Sequence, residues 1–271
     1  MQLINNKYEI IDEINSGSFG KVYKVKYNNT IFALKEDSNK LILKHEYNIY
    51  KKLQTIDNVP KLLDYFTYKN SNYLLIDYYQ LDLITFKMRF STSITYIEKL
   101  GLIFKTILYT LKEIHNLGII HRDLKPSNIC LNNNFIPFII DYGLSKEIII
   151  KKKHIEIKNI KGVIGSNNFA SLNVLNLIEP SRRDDIESFL YIYLYTLLNE
   201  FAYQKYSDLN INQKKNIEFI SKFLESLLLD SSVVFNKNTI LNYIKIFTYV
   251  RKMKFTQQPN YKYIDDILLS N

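Results

Sequence analysis

Five side chains, in a fixed order along this sequence, have the chemical types that phosphoryl transfer requires. His121-Arg122-Asp123-Leu124-Lys125-Pro126-Ser127-Asn128 is followed, thirteen residues after Asn128, by Asp141-Tyr142-Gly143. Upstream, Lys35 ends the run IFALK, and Glu46 comes eleven residues later. Moving a phosphoryl group asks little covalent chemistry of a protein. It asks for a carboxylate to hold the attacking hydroxyl, hard oxygen ligands for Mg2+, and cations to offset phosphate charge. Asp123, Asn128, Asp141, Lys125 and Lys35 supply that set. Each alone has an ordinary explanation as loop or cap chemistry. Their order, and the elements between them, carry the reading.

Two further features belong with these. Ser16-Gly17-Ser18-Phe19-Gly20-Lys21-Val22 lies between two strand-like runs, where glycines let backbone N–H groups approach phosphate oxygens. Taken alone it reads equally as a hairpin turn. It is not a GxxxxGK[ST] loop, because Asn15 falls on the first Gly and Val22 on the final Ser/Thr. Glu46 falls on the apolar stripe Ile42, Ile49, Leu53. An inward carboxylate needs a cation to offset its desolvation, and Lys35 is the nearest candidate.

The elements that must position these groups follow from periodicity. Residues 8–36 alternate and are rich in Tyr and β-branched residues, which predicts three antiparallel strands joined by SGSFG and NN turns. Residues 40–53 read as a helix, and 62–68 and 72–78 as two more strands. In 94–117 the positions Ile97, Leu100, Phe104, Ile107, Leu111 and Ile114 step by three and four, an amphipathic helix. Further helices are expected over about 183–199, 212–229, 237–252 and 261–269. No glycine follows Gly165, so unusual backbone geometry is expected to end there. The fold class is α+β: a small antiparallel β-rich N-terminal lobe of about 1–78 with one main helix, a hinge at about 77–81, and a larger mainly helical lobe of about 82–271, together one domain.

The ordered set resembles the protein-kinase signature. The resemblance implies that Asp123 is the catalytic base with Lys125 beside it in the Ser/Thr-type arrangement, and that Asn128 and Asp141 are the Mg2+ ligands. It implies that Lys35, held by Glu46, pairs the α- and β-phosphates of ATP. Ile14, Val22 and Ala33 would roof the adenine and Cys130 floor it, with Asn15 through Gly20 as phosphate loop. Ile76 would sit at the back of the pocket, with Asp77–Tyr79 as hinge. GSNNFASLNVL (165–175), EPSRRDDIESFLYIYLY (179–195) and YVRKMKFTQQPNYKYIDDIL (249–268) are similar to the casein kinase I family, with vaccinia-related kinases as the nearest neighbour. By the same resemblance Asp185 buttresses the catalytic loop and Arg251 ties the far end of the lobe. A serine/threonine protein kinase using ATP and Mg2+ is therefore expected. The alternatives are a pseudokinase serving as a nucleotide- or protein-binding module, and a small-molecule kinase.

The sequence departs from the family pattern at four positions. Asn15 stands at the first Gly of the phosphate loop, and its tolerance of positive φ would let the loop form. Tyr142 replaces Phe, adding a hydroxyl that needs a partner if buried. Asn168 stands where Arg, and Asn216 where Lys, would anchor a substrate phosphate. Residues 146–165 hold six lysines against two glutamates and no Ser, Thr or Tyr. A diffuse basic surface for acidic protein substrates is expected there, with activity independent of phosphorylation in that loop.

Composition bounds the rest. The chain has 271 residues, a net charge of +9 and a single cysteine, Cys130, which excludes an intramolecular disulfide and a multi-cysteine zinc site. MQLINNKYEI is no secretory signal, and FLYIYLYTLL (189–198) is too short for the roughly 20 residues of a membrane span. It reads as the centre of a globular core. The expectations are an intracellular protein, cytoplasmic or nuclear, monomeric, with no membrane span and no indicated nucleic-acid binding.

Overall fold

The computed structural model describes residues 3–17, 20–37, 39–228 and 236–269. Its N-terminal part is an antiparallel sheet of β1 (Leu3–Ile4), β2 (Tyr8–Gly17), β3 (Gly20–Tyr27), β4 (Thr30–Asp37), β5 (Leu62–Tyr68) and β6 (Ser71–Asp77), in the order β1-β2-β3-β4-β6-β5. Asn28-Asn29 and Lys69-Asn70 make two-residue turns with both φ angles positive, the turn type whose twist matches that of paired strands. At the turn end of the β2–β3 hairpin Gly20 has φ 89°, and a Cβ there would lie 2.0 Å from the Glu36 carbonyl oxygen, so only glycine fits. Helix α1 (Lys40–Leu53) is capped by Asn39, whose side chain accepts from the Leu41 N–H at 3.1 Å. It turns Leu43, Glu46, Ile49, Tyr50 and Leu53 inward.

From β7 (Leu81–Asp82) onward the chain is mainly helical. Helix α2 (Leu83–Phe90) and the long α3 (Tyr96–Asn116) lead into short paired strands. β8 (Ile119–Ile120) pairs with β11 (Lys146–Glu147), β9 (Ile129–Leu131) with β7 and β10 (Pro137–Ile139), and β12 (Ile149–Ile150) with β13 (Lys153–His154). Helices α4 (Leu172–Leu175), α5 (Arg182–Leu197), α6 (Glu200–Ser207), α7 (Ile211–Lys215), α8 (Ile217–Leu227), α9 (Lys237–Lys252) and α10 (Tyr261–Leu268) complete the lobe. Helix α5 is buried on nearly every side and forms the centre of the core, as its uninterrupted apolar run requires. The architecture is bilobal α+β.

The structure corrects four sequence expectations. The helix expected over 212–229 is divided into α7 and α8, because the Asn216 side chain accepts the Phe219 N–H at 3.0 Å and starts a new helix. The helix expected to run to 199 ends at Leu197, and Asn199 caps α6, which periodicity did not reveal. Ile97 is 42% exposed, so the buried stripe of α3 runs through Leu100, Phe104, Ile107, Leu111 and Ile114 without it. Left-handed backbone does not end at Gly165: Leu177 has φ 60°.

Candidate active site

Strand pairing sets Lys35 on the inner face of the sheet. Val22 lies opposite Lys35 and Ile76 opposite Ala33, and directly opposed residues share a face. The Lys35 ammonium lies 2.5 Å from Glu46 Oε1 and 2.8 Å from Asp141 Oδ1, with Glu46 almost wholly buried. Burial alone would favour the neutral amine, but the two carboxylates outweigh it and raise the Lys35 pKa. At Asp141 burial pushes the carboxyl up, and the Lys35 ammonium overcomes this and holds it at about 2. Asp141 itself has φ 67°, and its N–H donates to the Tyr50 hydroxyl at 3.3 Å.

The loop between β8 and β9 positions Asp123. Its Oδ1 accepts from the Ser166 N–H and hydroxyl, both at 2.9 Å. Its Oδ2 lies 2.9 Å from the Lys125 ammonium and 3.3 Å from the Asn128 amide nitrogen. That amide also donates to the Asp123 carbonyl at 2.9 Å, which leaves the Asn128 side-chain oxygen free of these bonds. Asp185, on buried α5, accepts the His121 N–H at 2.7 Å and the Arg122 N–H at 2.9 Å. Two bonds to one buried carboxylate hold Arg122 at φ 70°, a conformation that otherwise costs about 1–3 kcal/mol. Gly165 closes the far side: a Cβ there would meet the Arg122 carbonyl oxygen at 2.5 Å and Asp123 Oδ1 at 3.1 Å.

Side chains fasten the 146–165 segment and the residues just before it. Arg122 donates from Nε to the Leu144 carbonyl at 2.5 Å. Glu179, 1% exposed, pairs with Lys146 at 2.7 Å and lies 3.9 Å from Lys158. Lys151, Lys152, Lys153 and Lys161 remain exposed, the first two in the β12–β13 turn.

The remaining predicted positions divide. Ala33, Ile76 and Cys130 are buried, Val22 is half-buried and Ile14 is 46% exposed. Burial pushes the Cys130 thiol up to about 12, so it is a packing residue. Asp77 accepts the Lys61 N–H at 2.9 Å, and the Tyr79 ring stacks on Phe138 at 4.3 Å. Asn15 and Ser16 lie in extended β2, opposite Val22 and Lys21, so Asn15 does not use the left-handed backbone that was expected of it. Gly17 and Gly20 pair at the turn end of the hairpin, while Ser18 and Phe19 lie outside the described residues. Asn168 is exposed, and the Asn216 side chain is committed to its helix cap.

Sequence reading missed Ser166, Glu179, Glu187 and His115. Ser166 directly follows Gly165, and that adjacency was the available signal. Glu187 meets Arg251 at 2.9 Å. His115 bridges Asp185 at 2.9 Å and the Tyr261 hydroxyl at 2.6 Å. Nothing local in the sequence marks the last two, because their partners lie 64, 70 and 146 residues away.

Comparison with known proteins gives two findings. The protein kinase domain family model matches residues 8–259. A protein of Encephalitozoon cuniculi (strain GB-M1) described as a probable casein kinase I homolog is 28% identical over 272 residues, covering 96% of this chain and 83% of its own length.

Proposed function

This chain belongs to the protein kinase family, and from that premise we propose that it is an active serine/threonine kinase of the casein kinase I type, with Asp123 as catalytic base. One juxtaposition carries the reading. Lys35 is held between Glu46 and Asp141, while Asp123 is bonded to Lys125, Asn128 and Ser166. A binding module that had lost catalysis would have no need to keep every one of these groups in contact.

The Asp123 carboxylate has about four acceptor sites, and four donors fill them. A substrate hydroxyl therefore replaces one donor, and the Ser166 hydroxyl is the one free to rotate away. The bound hydroxyl oxygen forms a bond to the γ-phosphorus as the bond from phosphorus to the β,γ-bridging oxygen breaks. Its proton passes to Asp123, and ADP leaves. Lys125 offsets charge on the transferring group, and Lys35 does so on the other phosphates.

Mg2+ supplies charge neutralisation between the phosphates when bound. Among the described residues no group of three or more His, Cys, Asp or Glu forms a metal site of its own. Mg2+ typically rests on one or two protein oxygens plus phosphate and water. The Asn128 side-chain oxygen and the Asp141 carboxylate fit that demand, and these two residues would hold it.

Activity needs no phosphate on the 146–165 segment. The segment has no acceptor hydroxyl, and Arg122 and Lys146 already have protein partners. The exposed Lys151–Lys153 and Lys161 favour acidic protein substrates through a diffuse field. Salt should therefore weaken that preference, since screening acts within about 10 Å at 0.1 M.

The test is transfer from radiolabelled ATP with Mg2+ to casein, using bacterially expressed, phosphatase-treated protein beside Asp123→Asn. Transfer to serine by the wild type alone is expected. Nucleotide binding without transfer would identify a kinase-shaped binding module instead.

A further inference from the structure

We propose that an aromatic-walled cleft beside Asp123 selects protein substrates carrying an apolar side chain close to the phosphate-accepting residue, a proposal that rests on the kinase reading above. The cleft has a volume of about 580 Å³. Lys125 and Ser166 line it, and both also bond Asp123. A substrate side chain entering it therefore belongs to a residue within a few positions of the hydroxyl held by Asp123.

Its walls are Ile84 of α2, Phe169, Tyr195 of α5 and Tyr203 of α6. The three rings brace one another. Tyr195 and Tyr203 meet edge to face at 4.8 Å, and Phe169 lies 6.1 Å from each. From behind, the buried Lys87 ammonium donates to the Tyr195 carbonyl at 2.7 Å and sits 3.9 Å from the Tyr195 ring centre. All four wall residues are half-buried, so apolar area faces the cleft in a shape formed before substrate arrives.

Charge argues for the same occupant. Among the described residues the cleft is lined by no carboxylate, and the one cation there, Lys125, is paired with Asp123. Asn167 and Asn168 on its rim are neutral and exposed. A phosphorylated or acidic side chain would lose hydration there without finding a counter-ion. Arginine could stack on the rings, but the acidic groups around the cleft do not line it: Asp123 is already bonded to Lys125, Asn128 and Ser166, and Glu200 and Asp82 act on Tyr195 from outside it. Leucine or phenylalanine has nothing to lose and gains the buried area.

The experiment scans peptides with one serine acceptor. Leu, Phe, Arg, Glu or phosphoserine is placed singly at each of three positions on either side of it, against an all-Ala background. Each peptide is assayed with the full chain, ATP and Mg2+. At one position Leu or Phe should raise kcat/KM about tenfold over Ala, mainly through KM. Tyr203→Ala should bring that ratio close to one. Tyr203→Lys, which keeps a long side chain, should shift the preference at that position to Glu. Uniform rates for apolar and Ala peptides overturn the proposal, as does a preference for Arg or phosphoserine at the position sensitive to Tyr203. Transfer to none of the peptides would sink the kinase reading together with this one. Transfer without an apolar preference removes the cleft's role alone.

Discussion

The Tyr142 hydroxyl is buried with no hydrogen-bond partner among the described residues, its ring packed edge-on against Tyr50 and His121. A buried hydroxyl left unpaired costs about 1–3 kcal/mol. Tyr142→Phe is therefore expected to raise unfolding free energy by roughly 1 kcal/mol, read from urea denaturation. A destabilised variant would mean that the hydroxyl has a partner after all. Glu46 makes the opposite case. Its removal leaves Asp141 as the ion-pair partner of Lys35 among the described residues, so Glu46→Ala should lower kcat/KM for ATP by about 100-fold through misplacement of the lysine, with the fold retained by circular dichroism. At this scale the sequence was highly legible. Lys35, Glu46, Asp123, Asn128 and Asp141 were identified by type and order, and the structure brings Lys35 onto Glu46 and Asp141, and Asn128 onto Asp123.

Helices α2 and α5 are joined by Lys87, which is 7% exposed and bonded to the Tyr195 carbonyl. Burial pulls its ammonium down to about 8 from an ordinary 10.5. The unfolded chain therefore keeps a proton that the folded chain has released between those values. This group makes stability rise as pH increases from about 8 towards 10.5. In Lys87→Met that part of the slope should vanish, as followed by denaturant midpoints at pH 7.5, 8.5 and 9.5; an unchanged slope would exclude Lys87 as its source. Elements were less legible than residues. Asn216 carries no periodicity of its own, and only its bond to the Phe219 N–H shows that one helix has become two. Ile97 fits the spacing of α3 but stands at its first turn, where no neighbour covers it well enough to bury it.

Helices α5, α7 and α9 of the large lobe are fastened together by Arg251, whose Nε donates to Glu187 at 2.9 Å, Nη1 to the Lys214 carbonyl at 2.7 Å and Nη2 to the Tyr191 hydroxyl at 2.9 Å. Arg251→Ala would leave the Glu187 carboxylate buried without its cation and should cost about 3–5 kcal/mol. Calorimetry checks this, and Glu187→Gln in the same chain should recover part of the loss. A loss below 1 kcal/mol would show that the pair is dispensable. From the sequence alone came the chemistry, the α+β division, the helical core and the family resemblance, because residue type, period and motif order are local properties. Tertiary structure decided which carboxylate meets which cation, that Ser166 bonds Oδ1 of Asp123, and that Phe169, Tyr195 and Tyr203 converge on one cleft. Such pairings join residues tens to more than a hundred positions apart, and only the packed chain brings them within bonding distance.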